Sequence, residues 1–234
     1  MSAIPWPPAF FITGTDTDVG KSVVSAILTL DLGATYWKPI QAGLKPYTDT
    51  EFVHQVTGLD HSHFFPERFR LTQPLSPHTA AAIDGIEIQL SDFSLPTRPL
   101  APGSDRSADP SAPSAPSGAI ATTLYKPHLI VEGAGGLRVP INPEQYMTDL
   151  IQHLGLPVLL VARSGLGTIN HTILSIECLR HRGIPLLGVV LNGPRNEGNR
   201  RAIAHYGKTS ILAEIEPLSS LNPTTLQAAW QSFD

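Results

Sequence analysis

Short apolar runs alternate with helix-compatible segments along most of the chain. The runs are too continuous for strands with one wet face, so they predict parallel strands covered on both sides and joined by crossover helices. The predicted strands are Ala9–Thr13, Ala34–Pro39, His128–Glu132, Pro157–Ala162, Leu186–Asn192 and Ile211–Ile215. The predicted helices are Gly20–Leu30, Asp49–Thr57, His78–Asp84, Thr148–Leu154, Ile169–Arg182 and Asn196–His205. This order implies an α/β fold, a mostly parallel sheet flanked by helices, in a single domain spanning 1–234. One stretch breaks the pattern. Ser94 to Gly118 is dominated by Pro, Ser, Ala and Gly and has too few large apolar residues to bury, so it is expected to be a surface insertion, with a linker between two domains as the alternative reading. Arg98 and Arg106 within it are expected to be solvated.

Composition narrows the class of partner. The 234 residues suit one α/β domain, and a formal net charge of -4 without a Lys/Arg run argues against nucleic acid or an anionic membrane. A small-molecule partner is expected. The single cysteine, Cys178, has no partner within the chain, and no Cys/His cluster has zinc-ligand spacing, so the fold is expected to stand without disulfides or structural zinc. No stretch approaches the length of a membrane-spanning helix, and residues 1–8 lack the pattern of a secretory leader. The expected location is the cytoplasm.

The most informative chemistry follows the first strand. Gly14-Thr15-Asp16-Thr17-Asp18-Val19-Gly20-Lys21-Ser22 leads from an apolar run into a helical segment. Such a loop surrounds phosphates with backbone N–H groups at a helix N-terminus, while its lysine reaches the β and γ oxygens and its serine faces Mg²⁺. The spacing departs from the strict phosphate-loop pattern, because Thr15 stands where the first glycine belongs and Gly14 lies one residue earlier. The loop makes the predicted fold P-loop NTPase-like.

Two further elements fall at the C-terminal ends of predicted strands, where open α/β sheets place ligands. In Trp37-Lys38-Pro39-Ile40-Gln41-Ala42-Gly43 a lysine sits where proline stops a strand. It reads either as an edge-strand charge or as a second cation for phosphoryl transfer. In Val131-Glu132-Gly133-Ala134-Gly135-Gly136 a strand ends in a carboxylate followed by small residues, which reads either as an exposed turn or as an oxygen ligand for Mg²⁺. Asp49, at the start of a predicted helix, reads as an N-cap, as a metal ligand, or as both. His61 and His63 read as loop residues, and His78 as a weak candidate for lining the site.

Together these motifs resemble the dethiobiotin synthetase family. The resemblance also includes Thr-Asp-Thr-Glu from Thr48, Leu-Ser-Pro-His from Leu75, Gly-Leu-Gly-Thr-Ile-Asn-His from Gly165 and Gly-Val-Val-Leu-Asn from Gly188. It implies a homodimer that joins CO₂ to 7,8-diaminononanoate with ATP and Mg²⁺, through a carbamate and a carbamic-phosphoric anhydride. By position it implies catalytic roles for Lys21, Lys38 and Thr17, and metal ligands at Ser22, Asp49 and Glu132. ATP contacts are implied at Asp18, Val19, Gly20, Lys21, Ser22, Val23, Asp49, Glu132, Gly133, Ala134 and Gly135. On the base side they are implied at Asn192, Gly193, Ile215, Glu216 and Pro217, with the Asn192 amide reading the adenine edge. Substrate contacts are implied at Thr17, Lys38, Gln41, Ala42 and Asn170, the last holding the substrate carboxylate across the dimer.

Two positions depart from the family. Ala42 stands where a hydroxyl residue is frequent, with Gln41 a candidate substitute, and Glu216 stands where an Ile-Pro turn is common. A nucleotide switch of the partitioning or cell-division type is the rival reading. Such switches commonly carry a second lysine early in the loop, where this chain has Thr15-Asp16-Thr17. An amidoligase acting on corrinoid acids would need a glutaminase domain for which this length has no room.

Overall fold

The computed structural model describes residues 5–96 and 127–233. Most of the predicted insertion, with Arg98 and Arg106, lies outside the described residues. Its first residues do not: Leu95 packs against the core beside the buried Phe93.

The sheet is seven-stranded and parallel throughout, in the order β4-β2-β6-β1-β7-β8-β9. Its strands are β1 (Ala9–Gly14), β2 (Thr35–Trp37), β4 (Phe64–Phe65), β6 (Leu129–Gly136), β7 (Val158–Arg163), β8 (Leu186–Asn192) and β9 (Ile211–Ile215). A separate parallel pair is formed by β3 (Ile40–Ala42) and β5 (Phe69–Leu71). The helices are α1 (Lys21–Asp31), α2 (Asp49–Thr57), α3 (Pro77–Asp84), α4 (Met147–Leu154), α5 (Thr168–His181), α6 (Glu197–Gly207) and α7 (Pro223–Trp230). Among the described residues no helix is long and apolar enough to cross a membrane.

Side-chain alternation explains the continuous apolar runs. In β1, Phe10 and Ile12 face a core shared with α1, α2 and α7, whereas Phe11 faces the opposite core with Met147 and Leu150 of α4. In β7, Leu159 and Val161 join the first of these layers, while Leu160 and Ala162 meet Ile176 of α5 and Ile203 of α6. Each strand is apolar on both faces because helices cover both.

Six predicted helices and six predicted strands are present with ends within two residues, apart from the C-terminal end of β6. The second strand is cut to Thr35–Trp37. Pro39 has no N–H for the ladder, so the chain leaves the sheet at Lys38 and starts the separate β3 at Ile40. The strand β6 instead runs on through its glycines to Gly136, which pairs with Gly14. Unpredicted are β3, β4 and β5, each two or three residues long, and α7, which begins at the Asn222 cap with Pro223 in its first turn. Trp230 of that helix and Phe233 enclose Trp6, whose ring lies 5.1 Å from Phe10.

Candidate active site

Parallel register brings the two motif carboxylate and lysine positions together. Tyr36 pairs with Ile130 and Trp37 with Val131, so the next residue of each chain, Lys38 and Glu132, lie level at the sheet's C-terminal edge. Lys38 Nζ donates to Glu132 Oε1 at 3.0 Å and to the Gly133 carbonyl at 3.3 Å. The phosphate loop stands on the other side of Glu132, since β1 is the next strand and pairs Ile12 with Glu132.

Glu132 is completely buried and receives four side-chain donors. Ser25 donates to Oε2 at 2.6 Å and Tyr36 to the same oxygen at 3.1 Å; Ser22 approaches Oε1 at 2.9 Å beside Lys38. A buried carboxylate is tolerated only with such compensation. Burial and the adjacent Glu132 charge push the Tyr36 hydroxyl well above its usual range, so it stays a donor.

Asp49 closes the cluster from the first position of α2. Its Oδ1 accepts from Ser22 at 2.8 Å and its Oδ2 lies 2.6 Å from Lys38 Nζ. Asp49 is not the N-cap: Thr48 caps Glu51 N–H at 3.1 Å, and Glu51 returns a bond to Thr48 N–H at 2.7 Å. Relieved of capping, the Asp49 carboxylate is available to the site. Burial alone would lift its affinity for a proton, but Lys38, with Ser22 and Lys21, outweighs that and holds it below the usual carboxylate range. Burial would likewise depress Lys38, and the Glu132 and Asp49 charges together raise it instead. Lys38 is buried at the end of a strand that lies inside the sheet, between β4 and β6, and is no edge-strand charge.

Lys21 is buried, and its Nζ folds back to the Asp16 carbonyl at 3.0 Å. Burial lowers its pKa, Lys38 adds to the effect, and the Glu132 and Asp49 charges oppose it. The loop is held by Thr15 N–H to the Val161 carbonyl at 2.9 Å and by the exposed Asp16–Arg163 ion pair at 3.0 Å. Asp18 takes a positive φ of 56°, which carboxylate and amide residues accept more readily than others. The displaced glycine is explained sterically. A Cβ on Gly14 would come within 2.7 Å of the Asp16 carbonyl and 3.2 Å of Lys21 Nζ.

A cleft of about 750 Å³ opens above these groups. Its lining takes in Thr17, Asp18, Gly20, Lys21, Ser22, Val23, Lys38, Gln41, Ala42, Asp49, Glu132, Ala134 and Gly135. Val19 and Gly133 stand behind it: Val19 is in the core, and Gly133 offers its carbonyl to Lys38. Asn192 borders the loop through Nδ2 to the Val19 carbonyl at 3.1 Å, and Gly193 N–H bonds the Ile215 carbonyl at 2.8 Å. Glu216 pairs with Arg195 at 2.9 Å on the surface and, with Pro217, does not line the cleft. Asn170 is exposed on α5, also away from the cleft lining.

The sequence reading missed Lys45, Tyr47 and Phe52 on the cleft wall, with Tyr47 stacked on Phe52 at 6.1 Å. They lie between motifs and carry no spacing signal. Ser76 and Pro77 line the cleft, while His78 bonds Ser76 Oγ at 3.0 Å from just behind. His61–His63 forms a short 3₁₀ turn, and His63 is buried with Nδ1 2.7 Å from the Ala34 carbonyl. Cys178 is half-buried in α5.

A family model described as AAA domain matches residues 8–225. The ATP-dependent dethiobiotin synthetase BioD of Paramagnetospirillum magneticum is 45% identical over 216 residues, covering 92% of this chain and 91% of that protein. The chain belongs to the dethiobiotin synthetase family. The synthetases of Rhodopseudomonas palustris, 41% identical over 225 residues, and Brucella ovis, 40% identical over 215, cover 96% and 92% of this chain and 95% and 89% of their own lengths. Among solved structures, a ParA family ATPase from Chlorobium tepidum aligns over 96% of this chain and 98% of its own at 12% identity and a TM-score of 0.48, a likeness too slight to bear on activity. The synthetase family is one of ATP-dependent enzymes, in keeping with the loop at Lys21.

Proposed function

We propose that the protein carboxylates 7,8-diaminononanoate with CO₂ and closes the ring to dethiobiotin, converting ATP to ADP and phosphate. The observation that carries this reading is the position of Lys38, between Asp49 and Glu132 at the mouth of the Lys21 loop. A kinase-like site needs cations for the moving phosphoryl group and hard oxygens for a metal, and both are within one cleft.

One amine takes up CO₂ as a carbamate and gives up a proton. A carbamate oxygen attacks the γ-phosphorus while the bond to the β–γ bridging oxygen breaks, and ADP leaves. The second amine attacks the carbonyl carbon of the mixed anhydride, the bond from that carbon to the phosphate oxygen breaks, the amine gives up a proton, and phosphate departs with the ring closed. Lys21 grips the resting triphosphate, Lys38 offsets charge on the carbamate and the transferred group, and Thr17 faces the substrate. Loop N–H groups at the start of α1 receive phosphate oxygens.

Ser22, Asp49 and Glu132 fit Mg²⁺ as a donor set. Among the described residues no three His, Cys, Asp or Glu side chains gather as a metal cage, but Mg²⁺ characteristically takes one or two carboxylates and completes its shell with phosphate and water. When bound it would neutralise charge on the β and γ oxygens.

A homodimer belongs to the same reading. Leu166, in the turn leading into α5, is fully exposed, and Leu174 of α5 and Tyr206 of α6 are largely so; the two leucines are close in sequence to Asn170. The two helices are joined by Arg180 donating to the Gly207 carbonyl at 2.6 Å. A second copy covering these side chains would account for their exposure.

Phosphate release from Mg-ATP and bicarbonate, measured with and without the diamine while dethiobiotin is followed by mass spectrometry, tests the proposal. Diamine-dependent phosphate matched by equimolar cyclic urea is expected. ATP hydrolysis indifferent to the diamine would refute it.

A further inference from the structure

Gln41 sits in β3 level with Arg70 of β5, and only 5% of it is exposed. Its Nε2 donates to the Gly43 carbonyl at 2.9 Å and to the Ala42 carbonyl at 3.3 Å. Its Oε1 accepts from the Asp49 backbone N–H at 3.1 Å. One side chain thereby ties together both ends of the loop 43–49, which carries Lys45 and Tyr47 on the cleft wall.

The Asp49 N–H is among the first N–H groups of α2, which have no partner within the helix. Thr48 and Glu51 satisfy their own reciprocal pair, and Gln41 takes this further one. The position matters because both Asp49 oxygens are already committed, to Ser22 at 2.8 Å and to Lys38 at 2.6 Å. A small slide of the α2 N-terminus would break both. The sequence reading placed Gln41 against substrate as a substitute for the hydroxyl missing at Ala42. Here both of its amide hydrogens and one carbonyl lone pair are engaged by backbone, and turning toward a substrate would give those bonds up.

We infer that Gln41 is a positioning residue, whose amide fixes the start of α2 and so the direction in which Asp49 presents its carboxylate to the metal. The inference rests on the Mg-ATP reading of the cleft and is independent of which amine is carboxylated. It also accounts for a polar side chain buried in a strand of a small, otherwise peripheral sheet.

Gln41→Met keeps the length of the side chain and removes its hydrogen bonds. Mn²⁺ in place of Mg²⁺, titrated by electron paramagnetic resonance with ADP present, reads the metal site directly, and the KM for the diamine reads the substrate site. Loss of an outer partner should weaken Mn²⁺ on the order of tenfold. The diamine KM should not move, nor should metal-free ADP binding. Should Gln41→Met fail to fold, Gln41→Glu serves, since it retains an acceptor for Asp49 N–H and should hold Mn²⁺ close to the wild-type affinity while losing the bonds to Gly43 and Ala42. Undiminished Mn²⁺ binding by Gln41→Met, a marked loss in Gln41→Glu, or a raised diamine KM in either variant overturns the inference. A wild-type protein that ignores the diamine would refute the proposed ligase activity and leave the Mn²⁺–ADP titration standing as a test of Gln41.

Discussion

Lys38 Nζ lies 2.6 Å from Asp49 Oδ2, close enough to tie the end of β2 to the start of α2 by a charged bond. Among the described residues Lys21 makes no such bond to a carboxylate and instead rests on the Asp16 carbonyl. The two lysines should therefore fail differently when removed. Lys38→Ala is expected to lower kcat by about a hundredfold or more, the scale of losing a group that stabilises transition-state charge, with ATP binding largely kept. Lys21→Ala should damage both. Comparable kcat in Lys38→Ala and the wild type would remove Lys38 from the chemistry.

The same substitution exposes a second consequence. Without Lys38, Glu132 and Asp49 share Ser22 and face each other with no cation between them. Breaking a buried ion pair from one side costs roughly 3–5 kcal/mol, so Lys38→Ala should melt at a lower temperature. Divalent metal would supply the missing charge. Mg²⁺ without nucleotide is expected to raise the melting temperature of the variant more than that of the wild type, and equal shifts would contradict this.

How far the site could be read in advance followed from the range of each interaction. Lys21, Ser22, Lys38 and Glu132 sit in motifs whose residue types carry their own chemistry, and the parallel register converts strand ends into neighbours. Asp49 was legible as a carboxylate but not as free of capping, because that depends on Thr48 and Glu51 rather than on Asp49 itself. The bonds that hold Gln41 were hidden for a related reason. Its partners are backbone atoms, and backbone contacts leave no trace in residue identity. The strands β3 and β5 were lost because three residues are too few to show a period, whereas α7 bore a readable Asn-Pro start that short length and a mixed surface obscured.

Gly20 offers a test of the loop that separates backbone strain from collision. It has φ of 97°, and a Cβ there would fall 2.1 Å from Asn192 Nδ2 and 3.4 Å from Asn192 Cβ. Gly20→Ala should therefore lose ADP affinity and stability through both effects, the conformational part costing roughly 1–2 kcal/mol. Pairing it with Asn192→Ala removes the close contacts and leaves the strain, so the double variant should recover part of the stability lost by Gly20→Ala. Melting temperatures of the four proteins decide it; strictly additive losses would mean that Asn192 does not press on the loop. On the reading of Asn192 as the amide that reads the adenine edge, Asn192→Ala alone is expected to raise the KM for ATP and blunt discrimination against GTP.

Asp31 ends α1 with Oδ2 buried and without a hydrogen-bond partner among the described residues. Burial raises its pKa from the ordinary 3.8 to about 6. The folded protein then holds this proton more tightly than the unfolded chain between those values, so unfolding releases it and stability falls as pH rises through that window. The contribution is fullest below the ordinary carboxylate value and is gone once pH passes about 6. The carboxylate also meets the negative end of the helix dipole, which opposes ionisation in the same sense. Asp31→Asn keeps the shape and cannot ionise. Its melting temperature should exceed that of the wild type at pH 8 and converge on it toward pH 4, because only the wild type carries the charge at the higher pH. A gap that stays constant across this range would show that ionisation of Asp31 places no strain on the fold.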